Sequence, residues 1–84
     1  MYVAHGTVEE LLATWREAER VLESVPPLSR DHESVALAVV RLRTTYQRLT
    51  DRQERSAALV AEADRVARDC AVLLERVKRG DRED

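Results

Sequence analysis

Residues 28–79 read LSRDHESVALAVVRLRTTYQRLTDRQERSAALVAEADRVARDCAVLLERVKR and contain neither glycine nor proline. Glycine and proline are common in turns and at the ends of strands, whereas the interiors of long helices rarely contain them. Apolar side chains recur through this stretch at spacings of three and four residues, as on one face of an α-helix. The pattern predicts an all-α fold.

A first helix is predicted upstream, from about Val8 to Ser24. The pair Thr7 and Glu10 has the spacing of a capping box, in which each side chain accepts a backbone N–H. Residues 1–6 are expected to be flexible. The apolar stripe of this helix follows a heptad-like spacing and consists of Val8, Leu11, Trp15, Ala18, Leu22 and Val25. The two prolines that follow end the helix, because a residue before proline disfavours helical geometry.

Two further helices are predicted, from about residue 30 to 50 and from about residue 52 to 79. Ser29 or Asp31 can cap the second helix. Gly80 supplies the stop for the third, and residues 80–84 are expected to be flexible. The chain is interpreted as one helical domain, 1–84.

The connection between the second and third helices is ambiguous in sequence. Residues 50–56 are all polar, and they leave two successive positions of the apolar stripe unfilled. A turn there gives an antiparallel three-helix bundle, which is the favoured arrangement. Thr50 or Asp51 is then the expected cap of the third helix. A continuous helix gives a helical hairpin with one long C-terminal helix. Half of that helix is left uncovered by the first helix and requires a second chain, so this alternative predicts that the protein dimerises.

Composition restricts the possible functions. The chain has 84 residues, 36% of them charged, yet its net charge is only −2. The single cysteine, Cys70, excludes an internal disulfide and a cysteine-based zinc site. The longest apolar run, Val35 to Val40, is too short to span a bilayer. We therefore expect a cytoplasmic protein with no membrane contact, no metal and no cofactor. Arginine is abundant and isoleucine, asparagine and phenylalanine are absent, which indicates a GC-rich bacterial genome.

A candidate anion-binding stripe is formed by arginines that share one helical face if the second helix continues through residue 55. Its members are Arg41, Arg48, Arg52 and Arg55. The first helix carries five glutamates, so charge complementarity between neighbouring helices is the favoured explanation. Nucleic-acid binding is disfavoured, because it normally shows a basic excess beside stacking aromatic residues. A nucleic-acid-associated regulator is kept as an alternative, and it predicts binding that weakens steeply with salt.

Leu37 and Val40 lie off the apolar stripe of the second helix, and they are candidates for a protein-interaction surface. Val21 and Val72 are also off their stripes. An intramolecular groove or an association patch accounts equally well for all four. Trp15 and Tyr46 complete the candidate interaction surface, although the mid-stripe position of Trp15 favours a core anchor.

No catalytic set of residues is evident, so the chain is not expected to be an enzyme. Residues 51–55, DRQER, faintly resemble the helix-borne acidic and basic positions of small all-helical chorismate mutases. The resemblance implies an arginine-lined carboxylate site, and a small enzyme of this kind is the second alternative. The first helix, the Pro26–Pro27 connector and the lack of lysine before Lys78 depart from that pattern. The leading expectation is a helical interaction or oligomerisation module, whose partner is itself, as a homodimer, or another helical protein.

Overall fold

Three helices pack together in a computed structural model that describes residues 2–51, 53 and 56–80. They are α1 (Tyr2–Ser24), α2 (Arg30–Thr50) and α3 (Ala57–Arg79). Each helix contacts both of the others, and the part of the chain that is described contains no strand. The predicted all-α antiparallel three-helix bundle is confirmed, and the alternative with one long C-terminal helix is wrong.

The core lies along the axis where the three apolar stripes meet. Leu11 of α1 and Leu42 and Leu49 of α2 are completely buried. Thr45 is buried on the same side of α2, and its hydroxyl donates a hydrogen bond to the Arg41 carbonyl at 2.7 Å. This bond satisfies the hydroxyl inside the apolar core. The buried apolar residues are Leu11, Ala18, Val21, Val35, Ala38, Leu42, Leu49, Leu59, Ala63, Val66, Ala67, Cys70 and Leu74.

The start of α1 differs from the prediction. The helix begins at Tyr2 rather than near Val8, so the expected flexible segment is helical from Tyr2 to Gly6. Thr7 therefore lies inside the helix, where it is buried, and it does not mark the helix start. A glycine inside a helix costs only about 1 kcal/mol relative to alanine, so Gly6 does not stop it.

The connection between α2 and α3 is the turn that the polar run suggested, but its cap is a different residue. Thr50 ends α2, and the Asp51 carboxylate accepts the backbone N–H of Gln53 at 3.0 Å. The cap of α3 is Ser56, whose hydroxyl accepts the N–H of Leu59 at 3.2 Å. The third helix thus begins at Ala57, five residues after the predicted start at residue 52, because Asp51 holds a local turn instead of opening the helix.

The other two helix boundaries follow the expected capping chemistry. Ser29 caps α2 by accepting the backbone N–H of His32 at 3.1 Å. Gly80 ends α3 in the left-handed conformation, with φ 71°. An L-residue with a side chain rarely adopts this conformation, which explains why glycine ends the helix here. The rest of the predicted flexible tail, residues 81–84, lies outside the described residues.

Truncating a core leucine tests this packing. Leu42→Ala is expected to lower the free energy of unfolding by about 2–5 kcal/mol, because it leaves a cavity where the three helices meet. Leu28→Ala is the matched control, since Leu28 is fully exposed in the connector, and we expect a change within about 0.5 kcal/mol. Urea unfolding followed by circular dichroism measures both values. Equal effects at the two positions would contradict the assigned core.

Candidate protein-interaction surface

The four apolar residues predicted for an interaction surface separate into two groups. Trp15 and Tyr46 pack against the core between α1 and α2, and their ring centroids lie 5.6 Å apart at an angle of 53°. A tilted ring pair at this distance is favourable. The Trp15 indole nitrogen is buried and has no hydrogen-bond partner among the described residues. These two rings belong to the contact between α1 and α2.

Leu37 and Val40 lie on the opposite side of α2. Their exposed fractions are 64% and 46%, whereas Ala38 and Leu42 on the same helix are buried. Successive residues of a helix are turned by about 100°, which directs Leu37 and Val40 away from the bundle axis. Leu37 and Val40 are therefore not buried in an intramolecular groove, which was one of the two explanations offered for them. They form an exposed apolar patch.

The two valines that also lay off their stripes have different surroundings. Val21 is buried in the core, while Val72 on α3 is 60% exposed. The ion pair between Arg48 and Glu62 fixes the antiparallel register of α2 and α3. By this register Val72 lies near the level of Leu37 along the bundle. Val72 faces away from the core of α3, because it lies two residues from both buried Cys70 and buried Leu74.

Leu28 is an exposed apolar residue that was not among the predicted surface residues. It lies in the short connector after the two prolines, and its side chain is completely exposed. A connector residue has no helical face, so periodicity gave no signal for it. An open depression beside it is lined by Pro27, Leu28, Ser29, Arg30, His32 and Glu33.

The condition for the predicted arginine stripe is not met. That stripe required a helix through residue 55, but α2 ends at Thr50. Arg41 and Arg48 remain on α2, whereas Arg52 and Arg55 lie outside the described residues. The Arg48 guanidinium lies 3.8 Å from the Glu62 carboxylate of α3, so Arg48 forms an ion pair between helices. Neither Arg41 nor Arg48 lines the depression beside the connector.

A second ion pair joins α1 to α3. The Lys78 ammonium donates a hydrogen bond to the Glu17 carboxylate at 2.9 Å, and Arg20 also contacts Glu17. The hydrogen bonds from Lys78 and Arg20 lower the pKa of Glu17, and the bond to Glu17 raises the pKa of Lys78. The Glu17–Lys78 pair joins α1 to α3 and the Glu17–Arg20 pair lies within α1, so neither is the predicted complementarity between the glutamates of α1 and the arginines of α2.

Cys70 lies inside the core, with 2% of its surface exposed. Burial raises the pKa of its thiol, and the nearby charge of Arg41 opposes this effect in part. A raised pKa keeps the thiol protonated, as in a small apolar side chain rather than a nucleophile. Within the described ranges, no cluster of three or more histidine, cysteine or acidic side chains is arranged to bind a metal.

Comparison with known proteins adds no relative. No protein-family model, curated protein or solved structure matches the chain. Among the residues that the structure describes, no helix has both the length and the apolar character needed to cross a bilayer.

The Glu17–Lys78 pair predicts a specific pH dependence. The pKa of Glu17 lies below its ordinary value of 4.5, so the pair stabilises the fold above that value. This stabilisation is lost as the pH falls through the folded-state pKa. Glu17→Gln is therefore expected to be less stable than wild type at pH 7, with the difference disappearing in more acidic solution.

Thermal unfolding at pH 7 and below pH 4 measures this difference. Glu19→Gln is the control, because Glu19 is an exposed glutamate on the same helix and forms no ion pair among the described residues. A Glu17→Gln difference that persists unchanged at the acidic pH would argue against the pair.

Proposed function

We propose that this chain is a small helical protein–protein interaction module that binds through the outer face of α2. The outer α2 face is defined by Glu33, Leu37, Val40 and Thr44. One observation carries the proposal: the three helices close their own core, and yet Leu37 and Val40 remain exposed. Folding of one chain does not need these two side chains to be apolar.

The spacing of the outer α2 face suits helix pairing. Its residues are separated by four, three and four positions, which is the repeat that places side chains along one seam between two helices. The centre of the seam is apolar and its ends are polar. Burial of a leucine or valine side chain contributes about 1.5–3 kcal/mol. A partner helix therefore gains most at Leu37 and Val40.

The surface charges favour this face over the arginine alternative. Arg48 already contacts Glu62 within the chain, which reduces its availability to an external anion. The protein is also slightly acidic, with a net charge of −2, and acidic proteins are poorly suited to bind nucleic acid. The apolar seam is thus the better supported docking surface.

Replacing the two apolar side chains by charged ones tests the proposal. The variant Leu37→Glu/Val40→Glu is expected to abolish self-association while keeping wild-type helicity, because both positions are solvent-exposed in the monomer. Sedimentation equilibrium over a range of concentrations measures association, and circular dichroism measures helicity. The matched control is Ala13→Glu/Ala61→Glu, which places the same charge on exposed positions of α1 and α3.

The control variant is expected to associate as wild type does. Association that survives in the Leu37→Glu/Val40→Glu variant would show that another surface is used. A wild-type chain that stays monomeric at the highest concentrations would equally contradict self-association through this face.

A further inference from the structure

Two charged residues near the two ends of the outer α2 face have opposite signs. Glu33 lies one turn before Leu37, and Arg43 lies one turn after Val40. Both side chains are exposed, and neither forms an ion pair with another described residue. The face is therefore acidic at its N-terminal end and apolar at its centre, and at its C-terminal end the basic Arg43 lies at its edge, beside Thr44.

We propose that the outer α2 face pairs with the same face of a second copy of the chain, with the two helices antiparallel. This pairing rests on the proposed interaction function of the face. A two-fold axis passes between Leu37 and Val40, so that Leu37 packs against the partner's Val40. Because a two-fold interface is isologous, the same contact is made twice.

The antiparallel orientation follows from the charges. It brings Glu33 to the level of the partner's Arg43 at each end of the seam, which forms two opposite-charge pairs. A parallel pairing instead sets Glu33 against the partner's Glu33 and Arg43 against the partner's Arg43. Like charges at an interface disfavour the wrong orientation, while opposite charges fix the register.

The size of the face predicts a weak, reversible dimer. Stable interfaces bury about 800 Å² on each partner, and one helix face with two large apolar side chains supplies less than this. The folded monomer also has a complete core of its own. We therefore expect a dissociation constant in the micromolar range or weaker, with monomer and dimer exchanging.

Charge reversal distinguishes this pairing from other arrangements. Glu33→Arg and Arg43→Glu are each expected to weaken self-association on the order of tenfold, since each creates two like-charge pairs in place of attractive ones. An equimolar mixture of the two variants is expected to form heterodimers at least as tight as the wild-type dimer. In a heterodimer of the two variants, both charged pairs are again of opposite sign.

The control mixture is Glu19→Arg with Arg16→Glu, which carries the same net charges on exposed positions of α1. Fluorescence energy transfer between separately labelled variants measures heterodimer formation, and circular dichroism confirms that each variant is folded. The control mixture is expected to associate no more tightly than wild type. Because the control variants carry the same net charges, this comparison separates pairing at the outer α2 face from the general attraction between oppositely charged proteins.

The outcomes separate the pairing from the proposed function. If Leu37→Glu/Val40→Glu abolishes association but the reversed-charge mixture gains nothing over its control, the docking face stands and the antiparallel pairing is overturned. If wild type does not self-associate, the pairing and the proposed self-association fail together. The antiparallel dimer is supported if affinity recovers in the reversed-charge mixture and does not rise above wild type in the control mixture.

Discussion

Mutual burial of three apolar stripes is the constraint on which the rest of the molecule depends. The core is built largely from leucine, valine and alanine, and each stripe is covered only when both other helices are present. The first helix, α1, packs more extensively against α2 and against α3 than these two pack against each other. Removing any helix exposes the stripes of the remaining two, so folding of this small chain is expected to be cooperative.

This closed core determines how the surface is used. The buried Thr45 hydroxyl is satisfied locally by its hydrogen bond to the Arg41 carbonyl, whereas the buried Trp15 indole nitrogen has no hydrogen-bond partner among the described residues. The ion pairs Glu17–Lys78 and Arg48–Glu62 link neighbouring helices at their exposed edges. Surface ion pairs contribute little to stability, and they serve better to set the register of the helices. Exposed apolar side chains on α2 have no such role within the monomer, which is why association is the function that they support best.

The sequence predicted the fold class, the bounds of α2 and the end of α3, because apolar spacing, Ser29 and Gly80 are local signals. It did not predict that α1 begins at Tyr2, since Thr7 has a capping-box partner but is buried by packing. Ser56 was not predicted as the cap of α3, because Asp51 also has a side-chain oxygen that can accept a backbone N–H and it comes earlier in the chain. On the surface, Val21 and Val72 looked alike as off-stripe residues. Val21 is three residues from Ala18, at the edge of the stripe, whereas Val72 lies two residues from both Cys70 and Leu74, on the opposite side of α3. Leu28 gave no periodic signal at all.

The central claim is that the bundle is complete as a monomer and associates through the outer face of α2. Amide and methyl chemical shifts from nuclear magnetic resonance, followed through a dilution series of the wild-type chain, test this claim most directly. The account predicts concentration-dependent shifts confined to residues 33–44, with the core signals of Leu11 and Leu49 unchanged. Shifts centred on α1 or on the core, or spectra independent of concentration, would contradict it.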